Sequence, residues 1–322
     1  MIVLPLILLA IVGLSGCASP ASTQQVVCTP ESTRVNIYRV APQSWANSIF
    51  EYAYPTIPTP IPPNTAIPVQ LNEQQILGAR YAAFQYLIKE TKRWSAIVTI
   101  KLDDSSEAQI IVTFISPELL QAVFLSDILK DRFITSGFQA QIQNVLNAVA
   151  ERDELLFLLT VTTTNNNINS THHIIKIPIG KMILNNAENL EVEPKHDDHN
   201  LEQPINSAFE SVFGYLAYPL AELSGSQCKW ILDPKYNTNI VITVPSIELD
   251  GVSSSESHSW TIPYVSLISP ISPPDLPNFI APPGFDQNLM SPLPLPPKGI
   301  NQTNNWQDFA RFVWNQITLG NY

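Results

Sequence analysis

Trp94-Ser95-Ala96-Ile97-Val98-Thr99-Ile100-Lys101-Leu102 decides how this chain is read. Trp94, Ala96, Val98, Ile100 and Leu102 alternate with Ser95, Thr99 and Lys101, the pattern of a strand with one apolar and one polar face. Ala108–Ile115 is its hairpin partner through Asp103–Glu107, and so short a link makes the pair antiparallel. Leu155–Val161 is nearly continuously apolar, which predicts a central strand covered on both faces.

Helical patterns flank these strands. Asn72 with Gln75 resembles a capping box, Leu77, Tyr81, Phe84 and Ile88 follow helical spacing, and Lys89, Lys92 and Arg93 suit a helix C-terminus. Ser116-Pro117-Glu118 opens a second helix with a serine cap, a proline in the first turn and an acid near the positive end. Ile142, Val145, Leu146 and Val149 mark a third. The fold class that follows is α+β, an antiparallel sheet packed on helices.

Beyond this region the chain reads as strands and loops. His173–Ile179, Lys181–Leu184, Ile240–Val244 and Trp260–Val265 are predicted strands, with Asp250-Gly251 as a turn. Ser207–Leu223 is predicted as a helix whose end is weakened by Pro219. Eleven prolines between Pro263 and Pro297 force an extended arm, and the terminal helix beyond it carries Trp306, Phe309, Ala310, Val313, Trp314 and Ile317 on one side. That helix is expected to pack back on the body, since a single basic residue, Arg311, is too little for a membrane-surface helix.

The N-terminal stretch carries a different kind of signal. Leu14-Ser15-Gly16-Cys17 follows the apolar run Ile2–Val12 and resembles a bacterial lipobox, a small-residue cleavage site ending in the cysteine that receives lipid. The resemblance covers about twenty residues and names an anchoring signal of bacterial lipoproteins, not a domain family. It implies removal of residues 1–16, acylation of Cys17, and a protein held outside the cytoplasm on the cell membrane by more than one acyl chain. An ordinary cleaved signal and a retained helix are the other two readings. The retained helix falls short of the roughly 20 apolar residues a bilayer needs.

Residues 17–71 then read as a tether. Pro55, Pro58, Pro60, Pro62, Pro63 and Pro68 favour polyproline-like backbone with a reach of up to about 150 Å, shortened if the aromatic-rich stretch Val35–Tyr54 packs. Residues 72–223 are the expected α+β body, and 224–322 a strand-rich segment with the proline arm and final helix. Of the three cysteines, Cys28 and Cys228 remain once Cys17 is lipidated, and either form a disulfide or stay as two thiols.

Composition narrows function more than it names it. Of 322 residues, 45% are hydrophobic and 14% charged, which suits a folded core. With 17 basic and 28 acidic residues the net charge is −11, against nucleic acid and against electrostatic docking on anionic lipid. Eleven glycines supply no phosphate-cradling loop, and no Gly-x-Ser-x-Gly elbow, His-Glu-x-x-His helix or Cys-x-x-Cys pair is present.

Glu193, His196, Asp197, Asp198 and His199 have metal-ligand chemistry, but Pro194 and polar neighbours predict a solvated loop. His172 and His173 are adjacent and point apart on a strand. Glu151, Asp153 and Glu154 flank Arg152 at a helix–strand junction, where charges are expected to be solvated. Asn169-Ser170-Thr171 and Asn301-Gln302-Thr303 match glycosylation acceptors, incidental behind a bacterial anchor. The expectation is a lipid-anchored envelope protein of binding or structural role, with no catalytic residue, metal or cofactor assigned. A solute- or glycan-binding lipoprotein and a hydrolase using dispersed residues such as His196 and His199 are the alternatives. Its expected partners are the membrane, through the lipid, and an envelope protein or glycan.

Overall fold

A computed structural model describes residues 46–53, 67–68, 73–102, 106–130, 133–134, 138–165, 173–186, 189–197, 201, 203–206, 211–224, 227–232, 239–244, 246–253, 258–263, 281–283, 285, 291–297, 300 and 306–319. The first half runs α1 (Ala46–Ala53), β1 (Ile67–Pro68), α2 (Glu73–Arg93), β2 (Ser95–Lys101), β3 (Ser106–Phe114), α3 (Pro117–Lys130), β4 (Phe133–Ile134), α4 (Phe138–Ala150) and β5 (Glu154–Asn165). Short strands follow: β6 (Ile174–Lys176), β7 (Ile183–Asn186), β8 (Glu191–Val192), β9 (His196–Asp197) and β10 (Ile205–Asn206). The chain continues through β11 (Val212–Pro219), β12 (Ala221–Ser224), β13 (Gln227–Trp230), β14 (Asn239–Val244), β15 (Glu248–Leu249), β16 (Val252–Ser253), β17 (His258–Pro263) and α5 (Trp306–Thr318).

The α+β architecture is present. The main sheet is antiparallel in the order β2-β3-β5-β11-β9. Hairpin β2–β3 pairs Ser95 with Thr113 and Lys101 with Glu107, and β5 lies between β3 and β11. Glu154 through Thr163 are all buried, as the apolar run requires of a strand covered on both faces. A second sheet has the order β17-β14-β7-β8, and a smaller one β10-β6-β15-β16. Asp250 and Gly251 take φ of 50° and 80° between Leu249 and Val252, the positive angles a two-residue hairpin of the right twist demands.

Each face of the main sheet has its own cover. Trp94, Phe114, Phe157 and Tyr218 form a chain of ring contacts at 5.6, 5.1 and 5.5 Å, and the Tyr218 hydroxyl donates to the Met182 carbonyl at 3.2 Å. Phe213, on the opposite face by strand alternation, meets Phe312 of α5 at 5.0 Å. Helix α5 also packs on α2 and α3, and Phe309, Ala310, Val313, Trp314 and Ile317 are buried as the spacing predicts. Ser116 caps α3, its Oγ accepting from Leu119 N at 3.1 Å.

Three expectations change. Ser207–Leu223 is not a helix: residues 212–219 are β11, paired along their length with β5, and residues 221–224 are β12. The run Val212–Tyr218 is apolar at both helical and strand spacings, so periodicity does not separate the two, and burial on both faces favours the strand. The core also reaches into the expected tether. Ala46, Ile49, Phe50 and Ala53 of α1 are buried in the same cluster as the sheet and α2. Residue 223 is not a break either, since hairpin β12–β13 spans it and β14 pairs with β7.

The proline arm bears no helix or strand among its described residues beyond β17. Prolines keep carbonyls but lack amide donors, so side chains must grip them. Arg311 Nε donates to Ser291 O at 2.7 Å and Gln316 Nε2 to Pro294 O at 3.4 Å. Gln109 pairs with Ile300 in both directions, donating to its carbonyl at 3.2 Å and accepting from its amide at 2.6 Å.

Candidate functional site

A cleft of about 410 Å³ lies at the seam between the two larger sheets. It is lined by Ile183 of β7, Glu191 and Val192 of β8, Glu193, Pro219 of β11 and Glu222 of β12. Glu191 and Glu193 are exposed while Val192 between them is buried, so strand alternation turns both carboxylates the same way. Glu222 sits on β12 in register with Lys229. Asn186 fixes the β7–β8 loop beside them: its Nδ2 donates to the carbonyls of Trp230 and Ile231, and its Oδ1 accepts from Leu190 N at 3.0 Å. Asn189 completes that turn at φ 59°. Three carboxylates in one cleft favour cationic groups. Among the described residues, however, no three His, Cys, Asp or Glu side chains are placed to hold one metal ion.

The sequence-predicted residues are not gathered here. Glu193 lines the cleft, while His196 and Asp197 are successive residues of β9, paired with Ala217 and Leu216. Asp198, His199 and His172 lie outside the described residues, as do Cys17, Cys28 and both glycosylation-type triplets. Cys228 lies in β13 opposite Leu223. Glu151 and Asp153 are exposed in the turn after α4. Glu154 departs from expectation: it is 8% exposed and pairs with Lys195 Nζ at 3.0 Å. Lys195 reaches it because its own amide is bonded to the Ala217 carbonyl.

Sequence reasoning missed two acid-bearing pairs. His173 Nδ1 donates to Asp250 Oδ2 at 2.7 Å, and Asp250 Oδ1 accepts from Ile174 N at 2.8 Å. The hydrogen bond from His173, then that from Ile174, holds the Asp250 carboxyl below the ordinary range. Their separation of 77 positions in the chain left no local signal. The second pair is Glu90 of α2 and Glu118 of α3, both buried. Here a signal existed: Glu90 follows Ala83, Tyr86 and Leu87 at helical spacing, and all three are buried.

No protein-family model matches this chain, and comparison with curated proteins and with solved structures gives no match. The residues themselves therefore carry the functional reading. Among the described residues no helix is long and apolar enough to cross a membrane.

Proposed function

We propose that this protein is a lipid-anchored, extracytoplasmic envelope protein of binding or structural, non-catalytic role. The observation that carries the reading is Leu14-Ser15-Gly16-Cys17 behind the apolar run Ile2–Val12. With α1 already part of the core, residues 18–45 are the spacer between anchor and body, which at full extension span at most about 100 Å. Acyl chains worth about 0.8 kcal/mol per buried methylene hold such a body without a basic surface. This suits a chain of net charge −11. Within this reading, the carboxylate-lined cleft favours a cationic partner over an anionic one.

Intact-mass analysis and membrane fractionation of wild type against Cys17→Ala test the reading. Wild type should begin at Cys17, carry added acyl mass and sediment with membranes, while the variant loses both the mass and the attachment. Equal membrane retention of the two, or native protein still carrying residues 1–16, would overturn it.

A further inference from the structure

Strand β5 carries two hydroxyls into the interior. Thr160 and Thr162 are both fully buried, and neither Oγ1 has a hydrogen-bond partner among the described residues. Register sets their surroundings. Thr160 lies opposite Ile111 of β3 and Phe213 of β11, on the face that Phe312 of α5 covers. Thr162 follows two residues later on the same face, opposite Gln109 of β3, and Leu158 precedes Thr160 by the same interval. Thr160 is therefore flanked by Ile111, Phe213 and Leu158 on three sides, and its polar neighbour along the strand is Thr162.

The same face shows what two hydroxyls do when they meet directly. Ser95 and Thr113 are opposite each other on β2 and β3, and Ser95 Oγ and Thr113 Oγ1 share a hydrogen bond of 2.7 Å. Opposite residues have Cβ atoms about 5 Å apart, which permits a direct bond. Residues two apart along one strand are separated by about 6.7 Å, which does not. Two hydrogen bonds of about 2.8 Å through one shared oxygen span about 5.6 Å, and the rotamer of either threonine can close the remaining gap. Gln109 adds a third polar group. Its carboxamide holds the Ile300 carbonyl and amide at 3.2 and 2.6 Å and keeps a second N–H beyond the one given to Ile300.

We propose that Thr160 and Thr162 hold one internal water, bridged between their hydroxyls on the α5 side of the main sheet, with the Gln109 carboxamide as its third neighbour. A hydroxyl buried without a partner forfeits the hydrogen bonds it made to solvent in the unfolded chain. One guest that both donates and accepts restores them for two residues at once, and about three polar groups is the usual complement of a buried water. The apolar flanks exclude an ion, which would need a counter-charge at this depth. Ile300, 4% exposed beside Gln109, and helix α5 separate the site from solvent.

Urea unfolding of Thr160→Val, Thr162→Val and the double variant tests the bridge, since valine keeps the branched shape and removes the hydroxyl. Each single variant should raise the unfolding constant about 5-fold. The double variant should fall well short of the product of the two effects, because a shared water is lost only once. Either single variant as stable as wild type or more so, or two effects that simply multiply, overturns the proposal. A crystal structure of the wild-type chain needs no variant to fold. One ordered water within about 3 Å of both Oγ1 atoms supports the bridge, and apolar packing or direct contact between the two hydroxyls overturns it.

Discussion

Single side chains hold together segments far apart in the chain, and their substitution has calculable effects. Asn186 is 5% exposed and serves three backbone groups through one amide. Asn186→Leu fits the space but leaves two carbonyls and an amide without partners, so it should cost about 3 kcal/mol, read as a lower urea midpoint at unchanged slope. Asp250 gives a pH prediction. Its depressed carboxyl value means that its contribution is present above the unfolded value and lost as pH falls through the folded one. Asp250→Asn keeps a residue tolerant of φ 50° but removes that acid-side loss. Thermal unfolding from pH 6 to pH 3 should therefore fall less steeply in the variant than in the wild type. Neither Asn186 nor Asp250 was legible as a contact, because the partner of each is set by sheet register and not by local spacing.

At the level of elements, what the sequence revealed depended on whether burial was one-sided. Strand β2 has a polar face, so alternation identified it; the nearly continuous apolar run Leu155–Val161 of β5 was read as a central strand, yet the similar β11 was read as a helix. Helix α2 shows the same limit. Leu77, Tyr81 and Ile88 are only partly buried, while Ala79, Ala83, Tyr86 and Leu87 form the deeper side, because α1, α3 and α5 surround the helix on more than one flank. The proline arm was legible as extended, but its fastening was not: it depends on glutamine and arginine side chains on other elements. Gln109 substitutes for a strand partner by both donating to and accepting from Ile300. Gln109→Ala should therefore free this end of the arm and raise trypsin cleavage after Lys298. Gln109→Glu should do the same, since a carboxylate has no donor for the Ile300 carbonyl. Unchanged cleavage in both variants would show that Gln109 is not what fastens the arm.

For the whole molecule, the decisive fact is one apolar cluster that takes residues from α1 at one end and α5 at the other. Closure of this core at both termini is invisible to periodicity, which sees amphipathic segments but not which of them meet. Helix α5 buries Phe309, Ala310, Phe312, Val313, Trp314 and Ile317 and covers the Phe213 side of the main sheet. Removing it uncovers that face of the sheet and the flanks of α2 and α3 together. At about 25 cal/mol for each Å² of apolar surface returned to water, losing several large side chains from one interface is comparable with the roughly 5–15 kcal/mol that stabilises an ordinary domain. A chain ending at residue 300 should accordingly lose its cooperative thermal transition and bind a hydrophobic dye at room temperature. A chain beginning at Asn72, which lacks the four buried residues of α1, should keep a transition at a lower temperature because its sheet remains covered. A truncation at residue 300 that melts like the full chain would mean that α5 is an appendage and that the core closes without it.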